Sequence, residues 1–367
     1  MKKVAIIFTA ATGGGHNQAA NALKNRLEYQ GIEVHIVNLF KSCPKIVEVL
    51  VENGYTLMAN HFSKLYGQLY YMSHRQTINK NMKKLLIKLM RKHMKEQIDI
   101  YQPDLLISTH PFFVNLMASL KVSGETNAKC ISVITDLGVH RFYLHPAIDA
   151  YITGSQHTNQ QLQRFGIRTD RIFDFGIPVK DAFYTATVSP PSDPKPFTAL
   201  VMGGSMGSTK LIKVLNGIKM VRKPMHVHVV CGSNDRLRQY LNAHGQYMPE
   251  NITMTVHGFV NNVDELMTDA DVLISKPGGL TATEALCKKL PMIIPFYIDG
   301  QEAENAEILA ALGAAVHIKQ TSKLADHLEA MMYEPAILEK MRFQMAQISA
   351  NYSLEKTGLL FHSLMAS

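Results

Sequence analysis

Short apolar runs alternate with longer amphipathic stretches along most of the chain. Val4-Ala5-Ile6-Ile7-Phe8 is one such run, followed by the glycine turn Gly13-Gly14-Gly15, helical spacing over about residues 18–29, and the apolar Val34-His35-Ile36-Val37. Apolar runs of four to eight residues bounded by turn residues predict buried strands, and 3.6-residue spacing predicts helices, so these elements form one βαβ unit. Leu105-Leu106-Ile107, residues 130–134 and Ala150-Tyr151-Ile152 repeat the pattern with connections long enough for crossover helices. A parallel sheet is the expected result. Between about residues 41 and 100 the pattern predicts a longer, mainly helical insertion rich in Tyr, His, Met and Lys.

Residues 187–197 contain Pro190, Pro191, Pro194 and Pro196 and can continue neither a helix nor a central strand, so they read as a stiff linker. Beyond them the pattern restarts. Ala199-Leu200-Val201-Met202 runs into Gly203-Gly204-Ser205, and further strands are expected at residues 226–230, 253–260, 271–274, 292–294 and 315–318. The expected domains are residues 1–186 and 198–350, each Rossmann-like, followed by a segment at 351–367.

A length of 367 residues suits two such domains better than one core. With 46% hydrophobic and 19% charged residues, disordered, collagen-like and disulfide-scaffold classes are excluded. The net charge of +8 is unevenly placed: residues 1–150 hold 18 basic and 10 acidic side chains, whereas residues 151–367 hold 20 of each. That asymmetry predicts an anionic partner for the first domain, nucleic acid or an acidic membrane surface. Cys43, Cys130, Cys231 and Cys287 are widely spaced and form no CxxC pair, so a reducing setting without a zinc or disulfide framework is expected. The apolar stretch after Met1-Lys2-Lys3 is too short for a signal peptide, and no stretch approaches eighteen apolar residues.

Candidate chemistry concentrates after the predicted strands. Ser275-Lys276-Pro277-Gly278-Gly279-Leu280 ends one strand and opens a helix, where free N–H groups and the positive dipole end suit a diphosphate. Glu284 lies about one turn inside, positioned to accept from ribose hydroxyls. Gly203-Gly204-Ser205-Met206-Gly207 is a second glycine turn in an equivalent place. Taken alone, Pro-Gly-Gly is commonly just a turn; two such turns facing one crevice make a phosphate cradle.

Read in order, Gly203-Gly204-Ser205, Gly258-Phe259-Val260, Lys276-Pro277-Gly278-Gly279, Thr283-Glu284-Ala285 and Gly300-Gln301-Glu302-Ala303-Glu304-Asn305 resemble glycosyltransferase family 28. The pattern is most similar to bacterial diacylglycerol glucosyltransferases and plastid monogalactosyldiacylglycerol synthases. Thr12-Gly13-Gly14-Gly15-His16, Thr135-Asp136, His140, His145-Pro146 with Asp149, and Gly176-Ile177-Pro178-Val179 extend the resemblance through the first half. It implies an α/β GT-B fold, two Rossmann-like domains with parallel sheets facing a cleft, although doubly wound pairs also serve epimerases and binding proteins. It further implies that the C-terminal segment forms a helix packing on the first domain.

The same resemblance implies a UDP-sugar in the second domain. Glu284 would hold the ribose, and backbone at Phe259 and Val260 would read the uracil. Gly203, Ser205, Gly278, Gly279 and Leu280 would surround the diphosphate, and Gln301, Glu302 and Asn305 would face the hexose. UDP-glucose is the expected donor, with UDP-galactose second, and diacylglycerol the expected acceptor. No catalytic metal is expected, because no Asp-x-Asp cluster occurs and amide dipoles can serve instead.

In the first domain, Gly14 and Gly15 would shape the phosphate-facing loop and His16 would act as general base, or orient it, for attack by an alcohol on the anomeric carbon. Asp136 is the competing base. Related galactolipid synthases often carry an acid just before this loop, where Ala11 stands here, which gives Asp136 more weight. His110 and His145 are weaker candidates with equally good structural readings. Over residues 80–95, Met82, Leu85, Leu86, Leu89 and Met90 share one helical face, and Lys84, Lys88, Arg91 and Lys95 another. That helix could pack on the core or attach peripherally to anionic lipid, with Phe62, Tyr66, Tyr70, Tyr71 and Met72 walling a lipid acceptor. Nucleic acid is the poorer explanation of the charge, since no nucleic-acid-binding signature accompanies it. The expectation is a cytoplasmic inverting hexosyltransferase, peripheral on the inner face of the cell membrane. A UDP-sugar enzyme with a soluble acceptor, an epimerase, or a non-catalytic UDP-sugar sensor at the membrane remain as alternatives.

Overall fold

The computed structural model describes residues 3–10, 14–41, 80–185, 195–204, 210–244 and 248–366. The chain divides into two compact units, one of Met1–Asp181, Ile298–Gln301 and Asn351–Ser367, the other of Ala182–Tyr297 and Glu302–Ala350.

In the first unit the strands are β1 (Val4–Thr9), β2 (Glu33–Asn38), β3 (Leu105–Ser108), β4 (Lys129–Val133), β5 (Ala150–Ile152) and β6 (Ile172–Phe173). They form one parallel sheet in the order β2-β1-β3-β4-β5-β6, with Ala5 paired to Val34 on one side and Leu105 on the other. Helices α1 (Gly15–Tyr29), α2 (Lys80–Tyr101), α3 (Pro111–Val122) and α4 (Gln156–Arg164) connect them. Ile6, Phe8, Leu106, Phe113, Met117 and Tyr151 lie fully buried in one core. Helix α1 starts three residues earlier than its apolar spacing predicts, because Gly14 at φ 81° turns the chain directly into the helix. The two-residue β6 is too short to show a period and is invisible to sequence reading.

The described side chains of α2 revise the membrane-facing expectation. Met90, Met94 and Ile98 recur every four residues and are buried in the core of the first unit. Arg91 is tied to the end of α3, pairing with Glu125 and donating to Ser119 Oγ (3.3 Å) and Ser123 Oγ (3.0 Å), so its partly exposed guanidinium is engaged within the first unit. Lys95 pairs with Asp99 one turn on, while Lys88 is exposed. The Lys84 side chain and the aromatic residues between 62 and 72 lie outside what the structure describes. Among the described residues no helix is long and apolar enough to cross a membrane.

The second unit holds β7 (Phe197–Met202), β8 (Met225–Val230), β9 (Ile252–His257), β10 (Val272–Ser275), β11 (Met292–Ile294) and β12 (Ala315–His317). These strands are also all parallel, in the order β12-β11-β10-β7-β8-β9. Helices α5 (Lys210–Ile218), α6 (Asp235–His244), α7 (Val263–Asp269), α8 (Gly279–Lys288), α9 (Gln301–Ala311), α10 (Leu324–Tyr333) and α11 (Pro335–Ile348) belong to this half. Strand β9 stops at His257 rather than continuing to residue 260, since Gly258 opens a turn there. Of the proline-rich linker only Lys195, Pro196 and Phe197 are described, and Phe197 already opens β7.

Each sheet is pinned by an aspartate placed just before the strand beside its first strand. Asp104 accepts from the Val4 amide at 2.9 Å in one sheet, and Asp271 accepts from the Thr198 amide at 2.8 Å in the other. Helix α12 (Leu354–Ala366) packs against α1 in the first unit, burying Phe361. The Ser353 amide donates to the Phe175 carbonyl at 2.8 Å, and Lys3 Nζ donates to the Met365 carbonyl at 2.8 Å. The Tyr352 ring lies over Gly176, whose φ is 86°; a Cβ there would come within 2.7 Å of the ring.

Candidate active site

In open parallel sheets, ligands bind beyond the carboxyl ends of the strands where the strand order reverses direction. In the first unit that point falls between β1 and β3, and in the second between β7 and β10. The loops leaving those four strands carry most of the candidate residues.

At the first crevice, α1 begins on Gly14, and no side chain caps its first turn. His16, in that turn, is half-buried, and its Nδ1 lies 2.7 Å from the Thr109 carbonyl, at the end of β3, and 2.9 Å from Thr135 Oγ1, just past β4. A carbonyl only accepts, so Nδ1 carries the proton and Nε2 is left as the basic nitrogen. Burial lowers the His16 pKa to about 4, against which the bond to the Thr109 carbonyl works, so the imidazole is neutral at physiological pH. Thr135 Oγ1 also lies 3.0 Å from the hydroxyl of the fully buried Tyr143. Burial and the nearby Asp136 charge push the Tyr143 phenol up, keeping it neutral. Sequence reading singled out none of Thr109, Thr135 and Tyr143 as a site residue; only the adjacency of Thr135 to Asp136 hinted at one of them.

Asp136 is half-buried, and its Oδ2 accepts from the Gln301 amide at 2.9 Å. Gln301 groups with the first unit, so the amide expected to face a hexose is engaged with this carboxylate. His110 is buried with its ring edge-on to His16, centroids 4.6 Å apart. Its Nδ1 accepts from the Phe112 amide (3.4 Å), capping α3, and burial together with His16 holds its pKa well below the ordinary value. His140 and His145 repeat that local bond, accepting from the amides of Phe142 (3.2 Å) and Ala147 (3.1 Å). All three therefore shape backbone. Asp149 is structural too, accepting from the Cys130 amide at 2.6 Å and pairing with Lys121.

At the second crevice, α8 starts on Gly278, again with no side-chain cap, so its N-terminal amides and dipole face the crevice. The Gly203-Gly204 turn follows β7, and Gly204 has φ 84°. Lys276 reaches across to it, with Cε 3.0 Å from where a Gly204 Cβ would sit, and its ammonium pairs with Glu302 at the start of α9. A residue larger than glycine at 204 would push this lysine aside. Lys276 is the cation that sequence reading quoted within a motif but gave no role. Gly279 and Leu280 form the first turn of α8, and the mostly buried Glu284 lies in its second. Asn305, expected to face a hexose, is instead fully buried and donates to the Pro277 carbonyl at 3.0 Å, so it shapes the loop before α8. The Phe259 ring is exposed in the turn after β9, which leaves the backbone of Phe259 and Val260 as the shaped surface there. Ser205 lies outside the described residues.

Residues 16–179 match the monogalactosyldiacylglycerol synthase family, and residues 198–357 match the glycosyltransferase family 28 C-terminal domain. The chain belongs to glycosyltransferase family 28. Relatives of this family 28 enzyme include the processive diacylglycerol beta-glucosyltransferase of Bacillus pumilus (strain SAFR-032), 29% identical over 361 residues that span 96% of this chain and 92% of the relative. That of Bacillus cereus (strain G9842) is 29% identical over 373 residues, 98% and 93% of the two chains. Among solved structures, MurG of Acinetobacter baumannii superposes with a TM-score of 0.68 at 16% identity, covering 100% of both chains. CalG4, the calicheamicin glycosyltransferase, gives 0.65 at 14% identity, covering 100% of this chain and 99% of its own. The fold of this family 28 member is accordingly GT-B.

Proposed function

We propose that this glycosyltransferase transfers glucose from UDP-glucose to diacylglycerol with inversion, at an anionic membrane surface on the inner face of the cell membrane. The observation that carries the reading is His16: a neutral imidazole with Nδ1–H fixed by a carbonyl and a basic Nε2, at the switch point of the unit that matches a glycolipid-synthase family. The second unit supplies the donor site. The N-terminal amides of α8 and the Lys276 ammonium offset the diphosphate charge, and Glu284 accepts from the ribose hydroxyls.

In this reading the acceptor hydroxyl gives its proton to His16 Nε2 as its oxygen bonds to the anomeric carbon. The bond from that carbon to the β-phosphate oxygen breaks, and UDP leaves as the anion. With charge neutralised by amides and lysine, no metal is assigned a step, and EDTA is expected to leave turnover unchanged. Its similarity to processive diacylglycerol beta-glucosyltransferases makes UDP-glucose the first donor and UDP-galactose the second.

The test incubates the purified protein with radiolabelled UDP-glucose or UDP-galactose and diacylglycerol in anionic vesicles. Labelled lipid from UDP-glucose supports the proposal. Transfer only to a soluble acceptor, an epimerised free sugar, or saturable donor binding without product each overturns it in favour of the corresponding alternative.

A further inference from the structure

We infer that Thr135 and Tyr143 are positioning residues for His16, a buried hydroxyl pair that, beside the Thr109 carbonyl, gives Nδ1–H a second acceptor and fixes the ring so that Nε2 serves as the base. This rests on the reading of His16 as the base and adds the residues that make it one.

Of the two groups hydrogen-bonded to His16 Nδ1, one is the Thr109 carbonyl at 2.7 Å and the other the Thr135 hydroxyl at 2.9 Å; neither is a carboxylate. The hydroxyl can donate once and accept twice. Its own proton goes either to Tyr143 Oη at 3.0 Å or to the Thr109 carbonyl at 3.4 Å, and in both cases a lone pair remains directed at Nδ1–H. When Nε2 gains the acceptor's proton, Nδ1–H becomes a stronger donor and the same two oxygens take up the change. No proton has to travel along the pair.

Tyr143 gives the hydroxyl a fixed place. It ends a short 3₁₀ turn, Arg141–Tyr143, whose first residue is set by the His140 ring accepting from the Phe142 amide, and Asn115 of α3 donates to the Phe142 carbonyl at 2.9 Å. Ser132 of β4 donates to the Tyr143 carbonyl at 3.5 Å. Among the described residues, the ionisable groups facing the pair are His16 itself, His110 edge-on to His16, and Asp136, whose charge reaches the phenol. An aliphatic residue at 135 would leave Nδ1–H with one acceptor and the ring free to rotate.

The experiment uses the full chain carrying ¹⁵N-histidine, with His16→Asn as the assignment reference. In the unsubstituted protein the His16 ¹⁵N shifts should report the Nδ1–H form. Thr135→Val should move the Nδ1 shift as Nδ1–H loses one of its two acceptors, lower kcat by about tenfold, equivalent to about 1.4 kcal/mol, leave KM for UDP-glucose unaltered, and move the acid limb of the kcat profile to lower pH. Thr135→Ser should restore all of these, and Tyr143→Phe should give a smaller loss of about threefold, under 1 kcal/mol. Should Thr135→Val unfold because Tyr143 is left unpartnered, the double variant T135V/Y143F removes both polar groups and is read in its place. Wild-type kcat with unaltered His16 shifts in T135V, or in the double variant, overturns the inference. Full turnover in His16→Ala overturns the base assignment instead, so the two failures are distinct.

Discussion

The two units solve the same topological problem with opposite chemistry. Each is a six-stranded parallel sheet with a reversal beside its first strand, each is pinned by an aspartate before the neighbouring strand, and each opens a glycine-started, uncapped helix at the reversal. At the first reversal the loops bring together an imidazole, a carbonyl and the hydroxyls of Thr135 and the buried Tyr143, all neutral, with the Asp136 carboxylate beside them. At the second they bring together an ammonium, a carboxylate and a helix N-terminus. A proton acceptor needs a lowered charge cost and a fixed tautomer, whereas a diphosphate needs fixed positive potential. The same crevice is thus tuned by its loop residues alone, and the strand framework constrains neither choice.

Changes at either crevice should break this division unequally. The largest effect is expected for His16→Ala, with kcat lower by roughly 10²–10⁴-fold, the usual contribution of a general base, and donor affinity retained in a calorimetric titration with UDP. Glu284→Ala should do the reverse. Losing two charge-assisted hydrogen bonds of roughly 1.5–3 kcal/mol each raises the UDP-glucose dissociation constant by about a hundredfold or more, measurable by the same titration. Lys276→Met should weaken UDP binding by about tenfold, since one partly exposed ammonium is worth less than a buried pair; an unchanged dissociation constant would place the phosphates elsewhere.

The pH response separates the crevices further. His16 must be neutral to act, and its pKa of about 4 lies below the ordinary 6.5, so turnover should be insensitive to this group at neutral pH and fall as pH drops through about 4. Because the unfolded chain binds this proton near 6.5 and the folded chain near 4, stability should also decline as pH falls through that window, and His16→Asn should flatten the decline. The smallest effect concerns α2. Arg91→Gln should lower the melting temperature by roughly 1–3 °C, as expected for a half-exposed ion pair, with vesicle sedimentation unaltered. A clear loss of sedimentation with an unchanged melting temperature would return Arg91 to the surface.

Most of the strand framework was legible because buried parallel strands are continuous apolar runs, and Val4–Thr9 and Met292–Ile294 are such runs. The donor loop was legible for a related reason: Pro277-Gly278-Gly279 directly after an apolar strand has few other uses. What stayed hidden was the direction of side chains that serve the backbone. Asn305 and His145 have the same polar character whether they meet a ligand or satisfy a nearby carbonyl or amide, and only coordinates show that they do the latter. The partner of Arg91 was hidden too, because helical spacing shows that a cation leaves the apolar face, not that Glu125 waits thirty-four residues further on. Thr109, Thr135 and Tyr143 come from three separate segments, and no local pattern links them.

Helix α12 has a consequence for how the protein is made. The sheet of the first unit is complete by Phe173, yet the face of α1 that α12 packs against, and Gly176 with its covering Tyr352 ring, stay uncovered until residues 352–366 leave the ribosome. The second unit is therefore translated, and free to fold, while the first still exposes an apolar stripe. Synthesis of some 180 intervening residues, at about 5–20 residues per second, leaves that stripe open for roughly 10–40 s. For this interval the face of α1 later covered by α12 is open to any hydrophobic-surface chaperone, and docking of α12 closes it.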